Sequence, residues 1–240
     1  MKLAVNSIET LGAVDGPGVR VVVFLSGCSL RCKYCHNPEM FKMGEPNFTP
    51  EELVSKLVRY KPYFKSNNGG VTFSGGEPLM QTPALLETCK LLKQEGIHIA
   101  LDTAGQSSYD YKELLEYVDL ILYDIKDIIE SNYKYLTNGD ITKTHEFLSV
   151  AKSLNKKFWI RQVVVPNLHD NIDFITNLSA YIKTHFDTTN IERIEFLPYH
   201  KLGSEKYLKM NLKNPYLGLI EMDKEKCDNL YKQFMSIYEK

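Results

Sequence analysis

Residues 19–37 read VRVVVFLSGCSLRCKYCHN, an apolar β-branched run followed at once by three cysteines within eight residues, Cys28, Cys32 and Cys35. The run has the character of a buried strand, and the cysteine loop sits at its carboxyl end. A structural zinc or an electron-transfer iron-sulfur cluster normally takes four protein ligands, so three thiolates leave one metal position open to a small molecule. The pattern points to chemistry rather than scaffolding.

Simpler readings of the same residues fit less well. His36 would complete a Cys3His zinc site, but it adjoins Cys35, and neighbouring residues seldom turn both side chains toward one tetrahedral ion. A disulfide framework conflicts with an odd count of five cysteines and with an opening, MKLAVNSIET, that has no apolar signal segment. The expectation is a reduced, cytoplasmic protein. Cys89 and Cys227 lie in helical patterns far from the triplet and read as small packed hydrophobes.

Outward from this stretch, short β-branched or aromatic runs alternate with longer segments of helical period, the pattern of parallel βα units. Strands are expected at residues 19–25, 70–73, 97–101, 120–123, 158–165 and 193–197, enough for a partial (β/α)6 TIM-like barrel. Thr49-Pro50-Glu51-Glu52 and Thr82-Pro83 read as helix starts, Gly96 as a helix end, and residues 66–70 as a turn. The 240 residues fit one domain, residues 1–240, with one amphipathic helix expected in the tail, residues 204–240. Lys plus Arg at 29 against Asp plus Glu at 30 leaves no global field to draw nucleic acid or anionic lipid. No apolar segment approaches the roughly 20 residues that cross a bilayer, so neither nucleic acid nor membrane is an expected partner.

The unusual residues fall at the strands' carboxyl ends: the cysteine loop, Ser74-Gly75-Gly76-Glu77-Pro78, Asp102-Thr103-Ala104-Gly105, Asp124-Ile125-Lys126, Arg161 and Pro198-Tyr199-His200. In a parallel βα barrel these ends share the face that carries the active site. The C-x-x-x-C-x-x-C spacing with Tyr34 before the last cysteine, joined to Gly75-Gly76-Glu77, resembles the radical S-adenosylmethionine (radical SAM) enzymes. Asp15-Gly16-Pro17-Gly18-Val19-Arg20, Tyr34-Cys35-His36-Asn37, Gly70-Val71-Thr72, Leu101-Asp102-Thr103, Trp159-Ile160-Arg161 and Leu197-Pro198-Tyr199-His200-Lys201-Leu202-Gly203 resemble the family of pyruvate formate-lyase activating enzymes. That resemblance runs from Ser7 to Gly203.

The resemblance implies that Cys28, Cys32 and Cys35 hold one [4Fe-4S] cluster, whose open iron chelates S-adenosylmethionine for reductive cleavage to a 5'-deoxyadenosyl radical. It assigns Tyr34, Cys35, His36, Gly75, Gly76, Glu77, Asp124, Ile125, Lys126 and His200 to cofactor binding. Within that set, Gly75 and Gly76 let backbone approach the methionine amino group, and Lys126 meets the carboxylate. Asp102, Thr103 and Asp124 are candidate ligands of a monovalent cation. Asp15, Gly16, His36 and Arg161 are candidates for gripping a glycine-bearing loop of the protein partner, pyruvate formate-lyase. Flavodoxin or ferredoxin is the implied electron donor, and the chain is expected to be monomeric.

Two other readings stay open. Activases of other glycyl radical enzymes, such as anaerobic ribonucleotide reductase, share the reaction. Several relatives carry an inserted ferredoxin-like segment, but no cysteine lies between Cys35 and Gly70, which limits this chain to one cluster. A non-catalytic iron-sulfur redox or metal-binding protein would want a fourth cysteine near the first three.

Overall fold

The structure, a computed structural model, describes residues 1–65 and 68–240; of the turn expected at 66–70, Ser66 and Asn67 lie outside the described residues. Seven strands form one sheet in chain order: β1 (Val5–Gly12), β2 (Arg20–Leu25), β3 (Gly70–Gly75), β4 (His98–Thr103), β5 (Leu120–Ile125), β6 (Lys157–Val164) and β7 (Ile191–Pro198). β1 is antiparallel to β2, and every later pair is parallel. The six expected parallel strands are present as a partial βα barrel. β1 is an addition to that reading: an edge strand with only Val5 fully buried, it never forms the continuous apolar run that marks its neighbours.

The helices are α1 (Pro50–Leu57), α2 (Lys61–Lys65), α3 (Thr82–Gln94), α4 (Lys112–Glu116), α5 (Glu130–Thr137), α6 (Ile141–Ser153), α7 (Ile172–His185), α8 (Ser204–Lys209) and α9 (Lys224–Tyr238). α1 opens on the expected capping box: the Thr49 hydroxyl accepts from Glu52 N–H (3.2 Å) and the Glu52 carboxylate from Thr49 N–H (2.8 Å). Thr82-Pro83 behaves differently. A 3₁₀ turn, Pro78–Gln81, runs straight into α3, so Thr82 is the first helical residue rather than the cap, and its hydroxyl donates back to Leu79 O (2.7 Å). Gly96, at φ +66°, follows α3 as expected. The tail holds two helices, not one. α9 covers β7, with Phe234 and Tyr231 against Phe196 at ring separations of 5.1 and 5.6 Å. Among the described residues, no helix is long and apolar enough to cross a membrane.

Because side chains alternate along a strand, the sheet has two different faces. Val71, Phe73, Ile99, Leu101, Ile121 and Ile160 point into the main core beneath the helices. On the opposite, inner face lie Ala100 and Leu122, clustered with Leu120 and Trp159. Two residues further along the same strands come Asp102, Asp124 and Arg161, all lining one cavity. The inner face is thus apolar below and charged above, at the carboxyl ends. Residues from β2 through the end of β7 share that cavity, which requires the sheet to curl.

Candidate active site

The cavity has a volume of about 430 Å³ and is lined by Cys28, Cys32 and Cys35. Their loop is fixed from outside. The N–H groups of Arg31 and Lys33 donate to the carbonyls of Thr137 (2.7 Å) and Leu136 (2.9 Å) at the end of α5, groups that a helix terminus leaves without intrahelical partners. The Arg31 guanidinium donates to the Cys28 carbonyl (2.5 Å). All five cysteines are free thiols, and Cys89 and Cys227 are buried in α3 and α9, as expected. Burial pushes the Cys28 and Cys32 thiols up to about 12, with Glu77 adding to the effect at Cys28. Thiols so placed become thiolates only against a positive metal centre. Three of them lining one cavity with space for a small molecule are a donor set that fits a [4Fe-4S] cluster with one open iron.

Gly75 and Gly76 line the cavity, but their lack of side chains is dictated first by the neighbouring backbone. A Cβ on Gly76 would come within 2.1 Å of Gly27 O, and one on Gly75 within 2.4 Å of Leu25 N. The glycines press β3 against the strand that launches the cysteine loop. Gly76→Ala is therefore expected to displace that loop, lowering cluster content and the thermal midpoint together; a variant with full iron content and unchanged midpoint contradicts this. Glu77 is buried and spans two strand ends. One oxygen accepts from the Thr103 hydroxyl (2.5 Å) and Leu79 N–H (3.2 Å), the other from Ala104 N–H (3.0 Å). Desolvation outweighs these donors and pushes its carboxyl up to about 7. Glu77 is a brace between the β3 and β4 loops.

Arg161 organises the charged layer. It pairs with Asp102, its Nε lies 3.2 Å from the Asp124 carboxylate, and Asp15 is 4.0 Å away. The other Asp102 oxygen accepts from the Ser74 hydroxyl (2.6 Å) and the other Asp124 oxygen from Lys126 Nζ (3.1 Å). Burial alone would lower the Lys126 ammonium, but Asp124 outweighs it and holds the group well above the usual lysine range. Burial likewise opposes ionisation of Asp124, and Lys126 and Arg161 overcome it, keeping the carboxylate below its ordinary value. Of the cation-ligand candidates, Asp102 and Asp124 meet here with their oxygens taken by protein donors, while the Thr103 hydroxyl is turned to Glu77.

His36 and His200 stack at 4.0 Å, and His36 Nε2 lies 2.9 Å from the His200 carbonyl, so the ring is committed to the β7 end. Both line the cavity. The Tyr34 ring lies 5.9 Å from Lys126 Nζ, and its buried hydroxyl has no hydrogen-bond partner among the described residues. Ile125 faces the core rather than the cavity, and Gly16 is buried beside Arg20. Ser74 and Asn37 are cavity residues to which the sequence reading gave no role. The signal for Ser74 was its place on the inner face, one strand across from Asp102; Asn37 offered none beyond adjoining His36. Lys206 of α8 donates to Asn37 (2.7 Å) and Glu39 (2.5 Å), tying the tail to the chain just past the cysteines.

Comparisons with known proteins agree with this geometry. The family described as "4Fe-4S single cluster domain" matches residues 14–150. A radical SAM methyltransferase from Sphaerobacter thermophilus has the same fold, with a TM-score of 0.63 at 12% identity, covering 98% of this chain and 75% of that one. Fold, three-thiol cavity and family model together define a protein of the radical SAM fold with one [4Fe-4S] cluster. The pyruvate formate-lyase-activating enzyme of Clostridium pasteurianum is 46% identical over 236 residues, 98% of each chain. That of Staphylococcus aureus (strain USA300) is 40% identical over 221 residues, 88% of this chain and 87% of its own. The chain belongs to the family of pyruvate formate-lyase-activating enzymes. The first of these matches also carries the likeness past Gly203 into the tail, where motifs alone gave no resemblance.

Proposed function

We propose that this protein, acting as a cytoplasmic monomer of one domain, installs the glycyl radical of pyruvate formate-lyase. The observation that carries the proposal is the single cavity shared by three thiols, a charged lysine and the Arg161 cluster. Cys28, Cys32 and Cys35 are the cluster ligands. When bound, the cluster supplies the electron that splits S-adenosylmethionine into methionine and a 5'-deoxyadenosyl radical, which takes a hydrogen atom from the partner's glycine.

The protein's own residues orient the reactants and exclude water. Lys126 is held charged where a carboxylate would approach, and a charge-assisted contact of this kind contributes about 1.5–3 kcal/mol. Gly75, Gly76 and Asp124 line the same cavity, and Glu77 braces the Gly75-Gly76 loop. Tyr34 and the stacked His36 and His200 form an aromatic wall suited to the nucleoside. Asp102, Thr103 and Asp124 would accommodate a monovalent cation only by sharing oxygens with Arg161, Ser74 and Lys126. Asp15, His36 and Arg161, which line the cavity, receive the partner's loop, with Gly16 shaping the turn behind Asp15, and glycine enters there because it brings no side chain. A flavodoxin or ferredoxin supplies the electron.

The test is anaerobic: reduced holoenzyme, S-adenosylmethionine and pyruvate formate-lyase, followed by electron paramagnetic resonance. A glycyl radical signal on that partner is expected. Signal on anaerobic ribonucleotide reductase instead would reassign the substrate.

A further inference from the structure

Arg20 is wholly buried at the start of β2, and its three partners are neutral groups. Nε donates to the Thr72 hydroxyl (3.0 Å), Nη2 to Val71 O (2.5 Å), and Nη1 meets His98 Nδ1 (3.1 Å), which must then be the accepting nitrogen of a neutral ring. Desolvation lowers the guanidinium only to about 10, so it stays charged. Asp119 and Asp15 oppose that lowering only from beyond ion-pair distance among the described residues, and a buried charge without a contacting counter-ion is costly, so its position needs a reason beyond packing.

The reason lies in what Thr72 does with its remaining proton. Its hydroxyl donates to the main-chain carbonyl of Asp15 (2.6 Å). Gly16, at φ +125°, lays its α-carbon against the guanidinium; a Cβ there would stand 3.2 Å from Arg20 Nε. The β1–β2 connection is thereby drawn onto the inner face, and the Asp15 side chain reaches Arg161. Strand pairing holds the connection only at its base, where Gly12 pairs with Arg20 after a register shift beyond Glu9, and it does not reach Asp15.

We infer that Arg20 and Thr72 are positioning residues for the partner step: the buried guanidinium orients the Thr72 hydroxyl, which pins the Asp15 main chain and so holds the Asp15 carboxylate at Arg161. The inference rests on the reading above in which Asp15 and Gly16 grip the partner's glycine loop. Arg20 and Thr72 touch neither the thiols nor Lys126, so the relay acts on partner recognition and not on the cleavage of S-adenosylmethionine.

Thr72→Val keeps the shape and removes the relay. In reconstituted holoenzyme it loses the hydroxyl's bonds to both Arg20 and Asp15 and is expected to raise KM for pyruvate formate-lyase by roughly tenfold, the effect on the loop of losing the bond to Asp15. Cleavage of S-adenosylmethionine without partner should stay within about twofold, below what such a loss produces. Thr72→Ser, which restores the hydroxyl, should return KM to the unsubstituted value. An unchanged KM in Thr72→Val, equal losses in both assays, or failure of serine to rescue would each overturn the inference. If Thr72→Val does not fold, Arg20→Lys, which keeps the charge but cannot hold all three partners, is measured by the same two assays and the same criteria. Absence of any glycyl radical with the unsubstituted enzyme would instead refute the partner assignment.

Discussion

Cys32→Ser is expected to give a folded protein without its iron-sulfur cluster and without measurable cleavage of S-adenosylmethionine. Cys32 is the most enclosed of the three thiols and lies where burial disfavours any anion that lacks a metal to face. A serine hydroxyl has a far higher pKa than a thiol and is a hard ligand, poorly matched to the soft donor set an iron-sulfur centre takes. Two thiolates then remain for a cluster that needs three. The loop itself should persist, because its fixed points are main-chain bonds from Arg31 and Lys33 to α5 that do not involve the sulfur. Iron and sulfide analysis, with electron paramagnetic resonance after reduction, reads the outcome. Cys89→Ala is the matching control: it lies in α3 and should keep the cluster at some cost in packing. Retained cluster and cleavage in Cys32→Ser would refute the ligand assignment.

The second large effect is expected at Arg161. Arg161→Gln removes the cation that faces Asp102 and Asp124, and breaking a buried ion pair by deleting one partner costs about 3–5 kcal/mol. Urea unfolding at neutral pH should show a loss of that order; a change below about 0.5 kcal/mol, as at an ordinary surface site, would contradict it. The pH dependence has a defined sign. Asp124 has its folded pKa below the unfolded one, so its contribution is present above the ordinary carboxylate pKa of about 4 and is lost as pH falls through the folded value. With Lys126 as its sole remaining cation, Asp124 in the variant should protonate at higher pH, and acid unfolding should begin earlier. Glycine activation should fall further than S-adenosylmethionine cleavage, since Lys126 remains to serve the latter. Equal losses in both would argue that Arg161 serves the cofactor rather than the partner.

The six parallel strands were legible as short β-branched or aromatic runs between helical segments, although Arg161 and Gln162 interrupt β6 and charged residues interrupt β7, and the site residues because they gather at one end of those runs. β1 was not, since an edge strand with one protected face carries polar residues along most of its length. The charged layer was half legible. Asp102, Asp124 and Arg161 stood out singly, but their pairing depends on register, with Asp124 opposite Arg161 across β5 and β6, and on the curl of the sheet. Nor does spacing disclose that Glu77 and Thr103 are spent on each other, or that Gly76 is required by Gly27 before any ligand arrives. Those are contacts between strands remote in sequence. The tail misled for a related reason: α8 has only six residues and is held by Lys206 reaching Asn37 and Glu39, not by an apolar stripe.

The amides of Arg31 and Lys33, spent on the α5 carbonyls, bear on the electronics of the site. N–H groups aimed at cluster or cysteinyl sulfur favour the reduced, more negative state and raise its redox potential. In this loop those two amides face the helix, while Asn37 N–H points at Cys35 Sγ at 3.4 Å. A cluster held here would take a sulfur hydrogen bond from Asn37 but none from the Arg31 and Lys33 amides, and would be a stronger reductant than one that all three amides faced.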